Sequence, residues 1–93
     1  MKSGNKIRLH PLVIRDDIPR LDINLRKRIH DAIKIKLTTN PDIFGTPLRG
    51  TLKHRWKLRV GNYRVVYSIR NAEVYILMVG HRSEIYKLAE QRL

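Results

Sequence analysis

The chain has 93 residues, with 20 Lys or Arg against 8 Asp or Glu and a formal charge of +12. This describes one small domain, residues 1–93, expected to meet nucleic acid, an acidic partner, or both. An apolar share of 42% allows one modest core and excludes a disordered tail, and the lack of Cys excludes disulfides and thiolate metal sites. No apolar run approaches the roughly 20 residues that span a bilayer. The opening MKSGNKIRLHPLV has no apolar signal core, so a cytoplasmic protein away from membranes is expected.

Met1 to Asn5 reads as a polar, loose lead-in. Lys6–Ile14, KIRLHPLVI, alternates apolar and polar residues and is expected to be a strand, with Pro11 placing it at an edge or ending it early. Arg15–Leu21 suits a short helix begun by Asp16 or Asp17, with Pro19 limiting it. A longer helix is expected from about Ile23 to Thr38, capped by Asp22. Its apolar stripe is Leu21, Leu25, Ile29, Ile33 and Leu37, on an otherwise basic rod ended by Asn40-Pro41. Asp42–Thr51 reads as a loop pinned to the core by Ile43, Phe44 and Leu48.

Leu52–Tyr67, LKHRWKLRVGNYRVVY, is the most informative stretch. Read with period two, Lys53, Arg55, Lys57 and Arg59 fall on one side and His54, Trp56, Leu58 and Val60 on the other, the pattern of a half-buried strand. Gly61-Asn62 marks a tight turn into a second strand that adds Arg64. Like charges in a row repel, so an anion is the simplest reason to hold them together. Between Asp42 and Glu73 there are seven Lys or Arg and no acidic residue. Asn71-Ala72 turns the chain into Glu73–Gly80, EVYILMVG, apolar enough for an interior strand. Ser83 is the expected N-cap of a last helix that buries Ile85, Leu88 and Ala89. The elements make an α+β layer: one sheet with helices on one face and a free face carrying the cations.

The chemistry follows from the residue types. A Ser or Cys triad finds no suitable set, and the four scattered His sit among cations that repel a metal, so neither a metal nor a cofactor is expected. RNA, however, carries its own nucleophile, the 2′-OH beside each phosphodiester. Its cleavage needs a proton acceptor, a group that assists the leaving 5′-oxygen, and positive charge for the phosphorane. Surrounding cations favour phenolate and neutral amine in tyrosine and lysine generally, and arginine is suited to gripping phosphate.

LRG at 48–50, KHRWKLRVGNYRVVY at 53–67 and VGHRSEIY at 79–86 together resemble the RelE/ParE superfamily of type II toxins, in its RelE branch of ribosome-dependent mRNA endoribonucleases. The resemblance covers Leu48 to the end of the chain; the earlier strand and helices agree in layout. It implies a RelE-like fold: an N-terminal strand, two helices, a three-stranded antiparallel meander completing one sheet, and a short last helix. It further implies a metal-independent 2′-OH attack on mRNA in the ribosomal A site. Lys57 matches a catalytic lysine, Arg55 stands where the family often has lysine, and Arg64 matches the phosphate-gripping arginine. His81 or Arg82 stands in the place of the acid, and Tyr86 matches the base. Arg49, Lys53 and Arg59 are expected to bind RNA or ribosomal phosphates. The resemblance also implies an acidic antitoxin as partner in a hetero-oligomer. Two other readings share these residues: a ParE-like poison of DNA gyrase without nuclease chemistry, and a non-catalytic basic nucleic-acid-binding module.

Overall fold

A computed structural model describes residues 4–93 and gathers five strands into one mixed sheet, in the order β1-β5-β4-β3-β2. The expected α+β order of elements is the one the chain adopts. Strand β1 (Lys6–Leu9) runs along one edge, parallel to β5 (Glu73–His81). Strands β3 (Trp56–Val60), β4 (Tyr63–Arg70) and β5 form the antiparallel meander. The other edge is β2 (Thr46–Pro47), a two-residue strand inside the segment expected to be loop. Pro47, lacking an N–H, suits an edge. Of the lead-in expected over Met1–Asn5, Met1 to Ser3 lie outside the described residues, while Asn5 is fastened through its N–H to the Thr38 carbonyl at 2.6 Å. β1 stops well short of Ile14, because the chain from Pro11 onward is already helical.

The helical segment over Val13–Asp17 is π-wound, closed by the Ile18 N–H on the Val13 carbonyl, and runs into a 3-10 turn, Ile18–Arg20, that carries Pro19 near its start. Helix α1 (Ile23–Ala32) begins at Asp22, whose Oδ1 accepts from the Leu25 N–H at 2.8 Å. It continues as a π-wound turn, Ile33–Leu37. Carbonyls orphaned at this end are taken by hydroxyls: Thr38 donates to Lys34 and Thr39 to Ile35. The expected stripe faces the sheet, with Leu21, Ile29 and Leu37 buried and Leu25 and Ile33 packed beside them.

A short helix α2 (Pro41–Phe44) follows. Here the sequence reading is corrected, since Ile43 and Phe44 are 72% and 47% exposed. Pro41 is the residue buried instead, because Tyr67 donates its hydroxyl to the Pro41 carbonyl at 2.6 Å. Gly45 makes that approach possible: a Cβ there would lie 1.7 Å from the Tyr67 hydroxyl oxygen.

The sheet's first face carries Leu58, Val60, Val65, Tyr67, Val74, Ile76 and Val79 against α1 and its neighbours. A bulge holds Val74 and Ile76 on this face. Val66 pairs with Met78 and Tyr67 with Ile76, so Leu77 is the extra residue and the alternation resets there. The second face was expected to be free, and it is not. Helix α3 (Ile85–Arg92) lies on it, burying Ile85 and Ala89 with Leu52, Val66 and Met78. The apolar side chains Val66 and Met78 project to this face and need a cover. The cap of α3 also differs from expectation: Glu84 holds the N-cap position, and the Ser83 hydroxyl is engaged with His81 instead, 2.8 Å from its Nδ1.

Candidate functional site

The cationic row is shorter than the alternation implies. Strand β3 begins at Trp56. Before it the chain passes through a 3-10 turn, Gly50–Leu52, and then His54, with Gly50 at φ +65° and His54 at φ +74°. The turn lets Leu52 drop under α3, a burial that an extended strand from Lys53 could not give. Lys53 and Arg49 therefore sit exposed on a loop rather than on the sheet. Arg55 stands one residue before β3 and is half-buried. Its Nη1 meets the Lys53 carbonyl at 3.5 Å, and its buried Nε has no partner among the described residues.

On the strands themselves the alternation holds. Lys57 pairs with Val66, and Arg59 with Arg64, so Lys57, Arg59 and Arg64 share the second face. Arg59 is exposed. Arg64 is only 9% exposed and donates Nη1 to the Gly61 carbonyl at 3.1 Å and the Tyr63 carbonyl at 2.9 Å. Two arginines directly opposite each other on adjacent strands repel. Among the described residues no carboxylate pairs with either, nor with Arg55 or Lys57. A cation that is mostly desolvated and holds only neutral carbonyls is an uncompensated charge that an anion would stabilise.

Helix α3 brings the tyrosine to this face. The Lys57 Nζ lies 5.6 Å from the centroid of the Tyr86 ring, within cation–π range. Tyr86 is half-buried beside the Leu52, Val66 and Met78 cluster. Tyr67, by contrast, is fully buried on the first face, and burial, with Asp42 adding to it, pushes its phenol far up. It is a packing residue and no proton acceptor.

The two candidates at 81 and 82 separate. His81 pairs with Tyr63, and their rings meet edge-to-face at 5.2 Å on the first face, across the sheet from Lys57 and Arg64. Its Nδ1 accepts from the Ser83 N–H at 3.1 Å, which leaves the neutral ring's proton on Nε2. Gly80 pairs with Arg64 on the second face, and Arg82 stands exposed in the turn that follows β5. The Arg82 N–H donates to the Asn62 carbonyl at 2.8 Å, tying it to the β3–β4 turn. The structure thus gathers Lys57, Arg59, Arg64 and Tyr86 on one face, with Arg55 just before β3 and Arg82 in the turn just after β5. It sets His81 apart and leaves Arg49 and Lys53 on the flanking loop.

Two features escaped the sequence reading. Arg28 of α1 reaches the β3–β4 turn, where a Cβ on Gly61 would come 3.0 Å from its Nη1. Gly61, at φ +60°, thus lies between two guanidinium groups. The other feature is a buried ion pair between Asp17 and Arg92. Both join residues far apart in sequence that local spacing does not connect.

The model of the family "ParE toxin of type II toxin-antitoxin system, parDE" matches residues 7–86. A curated relative, Toxin RelE of Mycobacterium tuberculosis, is 32% identical over 74 residues, covering 77% of this chain and 76% of that protein. Among solved structures, the chain is similar to the toxin–antitoxin complex RelBE2 of M. tuberculosis, with a TM-score of 0.80 and 27% identity over 89% of this chain and 97% of that one. A double mutant of the E. coli toxin RelE in its free state shares the fold, with a TM-score of 0.70 and 22% identity over 97% and 98% of the two chains.

Proposed function

The chain belongs to the RelE/ParE superfamily and is a toxin of a type II toxin–antitoxin system; we propose that it acts as a ribosome-dependent endoribonuclease that cleaves mRNA in the A site without a metal, and so inhibits translation. The observation that carries this reading is the placement of Tyr86 beside Lys57, on the face where Arg59 and Arg64 stand unpaired by carboxylates. A poison that only docks on a protein has no use for a phenol held against an ammonium.

Tyr86 takes the proton of the 2′-OH, which attacks the adjacent phosphorus and expels the 5′-oxygen; that oxygen takes up a proton from solvent. The products end in a 2′,3′-cyclic phosphate and a 5′-hydroxyl. Lys57 stabilises negative charge on the phenol oxygen, with Arg55 adding to the same field. Arg64 holds the scissile phosphate through the guanidinium N–H groups that its two carbonyl bonds leave free. Arg82, in the turn after β5, offsets charge on the leaving oxygen; as an arginine it stays charged and acts electrostatically. Arg49, Lys53 and Arg59 engage flanking RNA or ribosomal phosphates. The partner is an acidic antitoxin in a hetero-oligomer, a reading supported by the complementary charge of this chain and by the toxin–antitoxin complex it resembles.

The test is single-turnover cleavage of ribosome-bound mRNA. Tyr86→Phe is expected to lower the rate about 10²- to 10³-fold while ribosome binding holds. A wild-type rate in Tyr86→Phe would remove Tyr86 from the chemistry. The match to the ParE family model favours a second reading, a gyrase poison. Intact mRNA with inhibited DNA supercoiling would establish that reading in place of the nuclease.

A further inference from the structure

We propose that Asp17 and Arg92 are positioning residues for Tyr86, a clamp across the sheet edge that fixes where α3 presents the tyrosine; this rests on the nuclease reading above. Arg92 lies in the last turn of α3 and Tyr86 in the first. The Arg92 Nη1 meets Asp17 Oδ2 at 2.8 Å and Nη2 meets Oδ1 at 3.0 Å, a two-pronged contact. The side chains are 12% and 4% exposed.

The clamp also holds the sheet. β1 pairs with β5 only as far as Leu9 opposite Ile76, and the His10 N–H adds a bond to the Ile76 carbonyl at 2.8 Å. Beyond that point no strand among the described residues pairs with β5 on this side. Arg92 Nη1 donates to the carbonyl of the bulge residue Leu77 at 3.1 Å, and the Val79 N–H donates to Asp17 Oδ2 at 2.9 Å. The pair takes the place of the missing strand and satisfies edge groups that would otherwise be buried without partners. In doing so it joins three elements: the π-wound segment on the first face, the edge of β5, and α3 on the second face.

Apolar contacts alone would not set the helix this finely. Ile85 and Ala89 bury against Val66, Met78 and Leu52, but a burial contact is non-directional and tolerates roll and slide. A planar fork on a carboxylate does not. The contact at risk is Lys57 with Tyr86, and a displacement of about 1 Å at a reacting group is enough to cost about 10²-fold in rate.

The experiment is a double-mutant cycle in single-turnover cleavage of ribosome-bound mRNA, using the full chain freed from its partner. Arg92→Ala is expected to slow cleavage about 10- to 100-fold, with the half-saturating ribosome concentration changed by less than about 2-fold. In the Tyr86→Phe background the same substitution should add less than about 3-fold, because the two act through one group. Arg92→Lys, which keeps the charge but not the fork, should fall between, and it carries the cycle if Arg92→Ala fails to unfold cooperatively. A full multiplicative loss in the Tyr86→Phe background, or a change in half-saturation with the rate intact, would overturn the proposal. Amide exchange of α3 in the free protein decides the anchoring claim whether or not the wild type cuts RNA. Exchange in α3 should quicken at least about 10-fold in Arg92→Ala while β4 keeps its protection; unchanged exchange in α3 would overturn the clamp. A wild type that leaves mRNA intact would defeat the nuclease reading alone.

Discussion

The two faces of the sheet are built on opposite terms. The first is covered by α1 and its neighbours and holds Leu58, Val60, Val65, Val74, Ile76 and Val79, all nearly or fully buried. The second is divided. One part, under α3, is apolar through Val66, Met78, Ile85 and Ala89. The other carries Lys57, Arg59 and Arg64 with no carboxylate partner among the described residues. Burial on the first face stabilises the fold directly. On the second, a nearly buried guanidinium bonded to two carbonyls contributes little or nothing to stability. The difference separates a face whose burial stabilises the fold from one that carries uncompensated positive charge.

Substitutions on the first face should therefore move stability and leave chemistry alone. The largest effect is expected at Leu58, 2% exposed on β3. Leu58→Ala should cost about 2–5 kcal/mol in denaturant unfolding, with the cleavage rate unchanged where the protein remains folded. A loss of rate in folded Leu58→Ala would mean the two faces are coupled more tightly than this division allows. A smaller effect is expected at Gly45, whose bare Cα admits the Tyr67 hydroxyl. Gly45→Ala should cost about 1–3 kcal/mol by overpacking, and Tyr67→Phe in the same chain should recover part of it. Strict additivity of the two substitutions would show that the contact is not the cause.

Much of the first face was legible in the sequence, because burial against one neighbour leaves a periodic trace. The stripe from Leu21 to Leu37, the cap at Asp22 and the turn at Gly61-Asn62 are local patterns, and each lies where the residues placed it. The second face was legible only where it is regular. Lys57, Arg59 and Arg64 follow from strand alternation, but Lys53 and Arg55 do not extend the row. The apparent period ran through a turn whose signal, a positive φ at His54, no residue type announces. The cover over Val66 and Met78 was missed because an apolar last helix does not declare which face it chooses. The bulge at Leu77 and the Asp17–Arg92 pair were beyond reach for the same reason, since both depend on partners brought together by the tertiary fold. His81 and Arg82, adjacent in sequence, separate into the last residue of β5 and the turn beyond it, which only the pairing of Tyr63 with His81 reveals.

The division between the faces is tested most directly at Arg64, by measuring single-turnover cleavage of ribosome-bound mRNA and unfolding of the same Arg64→Ala preparation. The account predicts cleavage slowed about 10²- to 10³-fold with unfolding stability within about 1 kcal/mol of the wild type. Cleavage at the wild-type rate, or a loss of rate that only tracks a collapse in stability, would contradict it.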